Sequence, residues 1–90
     1  MSYQVLFGHE AGKTLEKLDR TLARRIRDQV RTIAADPFDP RLSSQLKMFP
    51  GRRYARVGDW RIIYQVIESQ KIIDVSAIQH RSCVYKELKK

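Results

Sequence analysis

Four arginines fall within the ten residues Arg52–Arg61, and two aromatic rings, Tyr54 and Trp60, are set among them. Guanidinium groups hold phosphate oxygens in planar, bidentate pairs, and aromatic rings offer a face to an unstacked base. The combination suits a nucleic-acid strand. Strand alternation puts Tyr54 and Arg56 on one face and Arg53 and Val57 on the other. Arg61 opens the next run and shares its side with Ile63, Gln65 and Ile67. A solvated edge with cation–π pairs explains any single arginine here, but explains the whole cluster less well.

A second group, Gln79-His80-Arg81-Ser-Cys-Val-Tyr85, follows the last β-prone run, where loops commonly present functional groups. His80 is of the type that exchanges protons near neutral pH. Arg81 can neutralise charge on a phosphoryl group. Tyr85 offers a phenol or a stacking surface. A lone histidine is more often structural, but this one stands beside an arginine and downstream of a basic cluster. Lys47 enters the β-rich half and is placed to approach an RNA backbone. His9 reads as a surface group at a helix start, Cys83 as a packing residue and Asp59 as a turn residue. Asp74 has no second carboxylate beside it, so two-metal phosphoryl chemistry lacks a ligand set. There is no glycine-rich phosphate loop, and no metal or cofactor is expected.

The elements that must position these groups follow from periodicity. Tyr3 to Phe7 is a short β-prone run ending at Gly8. Ala11, Leu15 and Leu18 then recur at helical spacing, with Glu10 suited to a first turn. Asp19 breaks and recaps the chain. Leu22, Ile26, Val30 and Ile33 stripe a second helix over about 21–35, whose other face carries Arg20, Arg24, Arg27 and Arg31. Asp36-Pro37 stops it. Residues 41–51 read as irregular or weakly extended. Three strands follow, Arg52 to Val57, Trp60 to Ile67 and Lys71 to Ile78, separated by turns at Gly58-Asp59 and Glu68-Ser-Gln70. Ser82 to Lys90 reads as a short helix or tail. The expected fold is α+β in the order β-α-α-β-β-β, an antiparallel two-helix hairpin on a mostly antiparallel sheet of about four strands. The uncovered sheet face is left for function.

Composition bounds the rest. Ninety residues suit a single domain spanning 1–90. Eighteen lysines and arginines against ten acids give a net charge of +8, which points to a polyanionic partner. Hydrophobic content of 42% argues against disorder. No apolar run reaches the roughly 20 residues of a membrane span, and the N-terminus lacks a signal-peptide pattern. One cysteine cannot form an internal disulfide. A cytoplasmic location is expected, with no membrane partner.

Arg56-Val-Gly-Asp-Trp-Arg-Ile-Ile-Tyr-Gln-Val66, the ending His80-Arg-Ser-Cys-Val-Tyr85 and Leu15-Glu-Lys-Leu18 together resemble the RelE/ParE toxin superfamily of bacterial type II toxin–antitoxin systems. The resemblance covers nearly the whole chain, and its ending is similar to the RelE branch. It implies an endoribonuclease that cuts mRNA, commonly in the ribosomal A site, and so inhibits translation. It implies no metal: the substrate's own 2′-hydroxyl attacks the adjacent phosphate. Arg61 and Arg81 then match the arginines that stabilise the phosphate, and Tyr85 matches a tyrosine that stacks on or orients the base. Lys47, Arg53, Tyr54 and Arg56 would contact the RNA. Some relatives use lysines on the strand before the turn as base; this chain has Arg53, Tyr54 and Arg56 there, and arginine stays protonated. His80 is the hypothesised acid or base. The implied partners are mRNA, the ribosome and an acidic antitoxin, partly disordered when free, that links the toxin indirectly to operator DNA. Two other readings stand beside this one. One is a ParE-like inhibitor of DNA gyrase with the same fold. The other is a plain nucleic-acid-binding module, for which no standard recognition element is present.

Overall fold

Helical spacing in the first third and alternation in the second half become helices and strands in the computed structural model, which describes residues 3–47 and 49–82. In chain order the elements are β1 (Gln4–Phe7), α1 (His9–Lys17), α2 (Arg20–Ala35), β2 (Ser44–Gln45), β3 (Arg52–Val57), β4 (Trp60–Ile67) and β5 (Ile72–His80). A single 3-10 turn, Glu68–Gln70, joins β4 to β5. The tail expected over 82–90 lies outside the described residues from Cys83 onward.

Asp19 ends one helix and starts the next. Leu18 takes an extended conformation, and the Asp19 carboxylate accepts the Leu22 N–H at 2.7 Å. That bond satisfies one of the donors a helix start leaves bare. Ala11 and Leu15 of α1 and Ala23, Ile26, Val30 and Ile33 of α2 are buried against one face of the sheet. Asp36 then leaves the helical region before Pro37, which cannot continue a helix.

The sheet has five strands in the order β1-β5-β4-β3-β2, not the four or so expected. The addition is β2, which pairs Ser44 with Tyr54 and Gln45 with Arg53. Two residues are too few for alternation to mark them. β1 runs parallel to β5, and all other neighbours are antiparallel. The hairpin between β3 and β4 turns on Gly58 at φ 59°, the glycine-favouring first position of a two-residue turn whose twist matches its strands.

Facing the helices are Ala55 and Val57 of β3, Ile62 and Tyr64 of β4, and Ile73, Val75 and Ile78 of β5. The spacing 73, 75, 78 breaks alternation because β5 bulges. Ile63 pairs with Ala77 and Tyr64 with Val75, so Ser76 is left over, and its hydroxyl donates to the Ile63 carbonyl at 3.2 Å. Beyond the bulge the two faces of β5 exchange. A smaller cluster, Leu46 and Ile63 with Tyr54 and Ala77, lies on the sheet face away from the helices.

At the other edge the Tyr3 hydroxyl donates to the Glu68 carboxylate, and Lys71 lies over the Tyr3 ring and pairs with Glu68. The hydrogen bond with Glu68 raises the Tyr3 pKa, and the same bond lowers that of Glu68. Hydrogen bonding to Glu68 raises the pKa of Lys71. This cluster ties β1 to the β4–β5 connection.

Candidate functional site

Arg61 stands second in β4, on the face away from the helices together with Ile63 and Gln65. In the ladder it lies between Arg56 of β3 and Gln79 of β5. Gln79 reaches that face only because of the bulge at Ser76. Arg61 is just 6% exposed, and among the described residues no hydrogen bond or ion pair engages its guanidinium. Burying an unpaired cation is costly, and like charges directly opposite each other in a ladder add to the cost. No carboxylate among the described residues offsets these costs; water does so in part, since the guanidinium nitrogens are not sealed from solvent. An anion held between Arg56 and Arg61 would do so more fully.

Tyr54 precedes Arg56 by two residues on the same face and is half-buried against Leu46 and Ile63. Arg56 also borders a shallow groove of about 230 Å³ that runs past Tyr54 to Ser44 and Arg41. It also borders a groove of about 310 Å³ lined by Arg25, Asp28, Gln29 and Thr32 of α2, and Gln29 lines both. Lys47 is exposed in the connection between β2 and β3. Cations and one aromatic ring therefore meet along β3 and the start of β4, as the sequence suggested.

Arg53, expected at the RNA, faces the other way. It is 8% exposed, on the helix-covered side with Ala55 and Val57. Its Nε donates to Ser43 Oγ at 2.9 Å, its second nitrogen donates to the Ser43 carbonyl at 3.2 Å, and its guanidinium lies 5.8 Å from the Phe38 ring centre. The Tyr64 hydroxyl is 2.7 Å from Ser43 Oγ and 2.8 Å from the Pro37 carbonyl. One proton arrangement serves every group: Arg53 donates to Ser43, Ser43 to Tyr64, and Tyr64 to Pro37. Arg53 is thus spent on holding residues 37–43 to the sheet.

His80 ends β5 on the face opposite Arg61. It pairs with Trp60 in the ladder, and the two rings meet edge to face at 5.5 Å. Its Nδ1 lies 3.1 Å from Ser82 Oγ. Arg81 is exposed, and its N–H donates to the Asp59 carbonyl at 2.8 Å, which fixes the strand end beside the Gly58-Asp59 turn. The structure thus joins Arg61 with Arg56 and Tyr54, sets Arg81 at the same end of the sheet, and turns the His80 ring away from Arg61. Tyr85 lies outside the described residues. Gln79 and Arg52, named in the two sequence groups without a role of their own, share the open face; the out-of-step spacing of Ile73, Val75 and Ile78 was the signal for the first. Among the described residues, no three His, Cys, Asp or Glu side chains converge as a metal site would require.

Residues 5–85 match the family model described as the ParE toxin of the type II toxin–antitoxin system parDE. A protein of Escherichia coli described as RelE-like toxin is 33% identical over 89 residues, covering 94% of this chain and 92% of the relative. A chain of the archaeal RelE–RelB complex from Pyrococcus horikoshii is 25% identical and superposes with a TM-score of 0.76, over 90% of this chain and 97% of that one. The intact Escherichia coli RelBE toxin–antitoxin complex contains a chain of the same fold, with a TM-score of 0.79 at 20% identity, over 88% and 96% of the two chains.

Proposed function

This chain belongs to the ParE toxin family of type II toxin–antitoxin systems, RelE-like toxins among its relatives, and from that premise we propose that it is an endoribonuclease that cuts mRNA in the ribosomal A site. The observation that carries this reading is the buried Arg61, set directly across the ladder from Arg56 with no carboxylate among the described residues paired to either. Such a site accepts a phosphate and gains most when that phosphate acquires extra negative charge.

In the proposed reaction the 2′-oxygen of the substrate attacks the adjacent phosphorus. The bond from phosphorus to the 5′-oxygen breaks. The products are a 2′,3′-cyclic phosphate and a 5′-hydroxyl. One proton leaves the 2′-hydroxyl and one is taken up by the 5′-oxygen. Arg61 holds the phosphate through the transition state, and Arg81 adds charge from beside the Gly58-Asp59 turn. Tyr85 orients the base, and Tyr54, Arg56 and Lys47 hold the strand. His80 is assigned the proton role by residue type. Its ring faces Trp60, so the substrate must reach it around the end of β5.

The proposed setting is cytoplasmic. The proposed protein partner is an acidic antitoxin, supported by the RelB complexes of structural relatives, through which operator DNA is met indirectly. A ParE-like inhibitor of DNA gyrase is the second reading, favoured by the parDE description of the family model. Induction of the chain in cells, followed by primer extension on mRNA and a supercoiling assay with purified gyrase, separates the two. We expect discrete, codon-linked cuts that disappear in Arg61→Ala and fall sharply in His80→Gln, with RNA binding kept in the latter. Gyrase inhibition without cuts would replace the proposal by the second reading. Cuts unchanged in His80→Gln would remove His80 from it.

A further inference from the structure

The open face of β3 extends well beyond Arg61. Arg52, Tyr54 and Arg56 alternate on it, spaced about 7 Å apart by the rise of a strand. Arg56 stands across the ladder from Arg61; Arg52 marks the far end. There the chain doubles back in a tight connection: Leu46 N–H donates to the Arg52 carbonyl at 2.9 Å, Phe49 N–H to the Leu46 carbonyl at 3.2 Å and Arg52 N–H to the Phe49 carbonyl at 3.1 Å. Gly51, at φ 86°, permits the reversal. The effect is to hold Phe49 at the tip with its side chain outside both apolar clusters and 41% exposed. The Arg52 guanidinium lies 5.6 Å from its ring centre.

Resting on the ribonuclease reading, we propose that Phe49 and Arg52 form a distal subsite that stacks one nucleobase and holds the adjoining phosphate of the same single-stranded RNA whose scissile phosphate lies at Arg61. The half-exposed ring gains by being covered, and a base has the flat face to do so. The cation is already placed beside the ring, where a base stacked on Phe49 carries its own phosphate. Arg56 and Tyr54 fill the interval between the two sites, and a strand laid along them meets a cation or a ring at every second residue of β3. A carboxylate of a protein segment can pair with the same arginines, but a nucleotide offers both a base to Phe49 and a phosphate to Arg52.

The test uses the full-length chain and a set of RNAs lengthened one nucleotide at a time on either side of the cut. Each RNA is supplied free and on programmed ribosomes, and is measured for cleavage and, with the attacking 2′-hydroxyl methylated, for binding. For the wild type we expect affinity and kcat/KM to step up when one particular nucleotide is added. Phe49→Ala should lose that step, by about tenfold to a hundredfold, with no change on the shorter RNAs. Phe49→Trp should keep it, and Arg52→Gln should weaken it with a shallower salt dependence. Thermal unfolding of all three variants should match the wild type. Equal losses on short and long RNAs, or no step in a wild type that cuts, would overturn the subsite alone. A wild type that neither binds nor cuts RNA would overturn the ribonuclease reading and the subsite with it.

Discussion

Arg53 and Arg61 are both nearly buried, and their surroundings give them opposite uses. Arg53 meets Ser43 and, through it, Tyr64, so its charge is solvated by the protein's own oxygens. Arg61 meets Arg56 and Gln79 in the ladder and no acid. Alternation in the sequence separated Tyr54 and Arg56 from Arg53, and Ala55 and Val57 on the Arg53 side mark the face that meets the core. The partner that engages Arg53 there, Ser43, comes from a segment with no periodicity to read. The difference is measurable. Tyr64→Phe removes the hydroxyl that links Ser43 to Pro37 and should cost about 1–3 kcal/mol, since it leaves a buried carbonyl without its donor. Denaturant unfolding should show the loss, while the proposed RNA cleavage, measured per folded molecule, should stay at the wild-type rate. A variant as stable as the wild type would mean that the network contributes little to holding the 37–43 segment.

At the scale of elements, the helices, β3 and β4 were legible because each follows one period for at least six residues, and β5 was legible from its run of β-branched residues. β2 and the bulge were not, as neither outlasts a single repeat. The bulge matters for the site: without Ser76 as an extra residue, Gln79 would face the helices and His80 would share the face of Arg61. His80 was expected in a loop after a strand ending at Ile78; β5 instead runs on to His80, and the bulge turns its ring to the Trp60 side. Asp19 was legible from its type alone, and its cap on α2 now carries a number. Asp19→Ala should destabilise the fold by about 1 kcal/mol, through the lost bond to the Leu22 N–H. For a domain of this size that corresponds to a fall in Tm of about 4–8 °C. Asp19→Asn should recover most of it. Calorimetry of the two variants checks this, and equal losses from both would assign the effect to charge instead of to the cap.

For the molecule as a whole, the core occupies one side of the sheet, and the net charge of +8 must be met on the surfaces that remain. The open face offers Arg52, Arg56 and Arg61 with Tyr54; α2 offers a separate basic stripe from Arg20 to Arg31, of which Arg31 already pairs with Asp28. Charge alone cannot say which surface meets the polyanion, but salt dependence can. Single-stranded RNA releases counterions in proportion to the phosphates a protein neutralises, with a slope of log affinity against log salt of about −0.7 per contact. If the strand lies on the open face, Arg56→Gln should make that slope shallower by about 0.7. Arg24→Gln and Arg27→Gln on α2 should leave it unchanged, because a strand held between Arg52 and Arg61 lies on the side of the sheet away from the helices. Titrations of an uncleavable RNA between low and physiological salt give all three slopes. A shallower slope in the α2 variants, with none in Arg56→Gln, would place the RNA on the helical side and leave the paired arginines of the sheet without their proposed ligand.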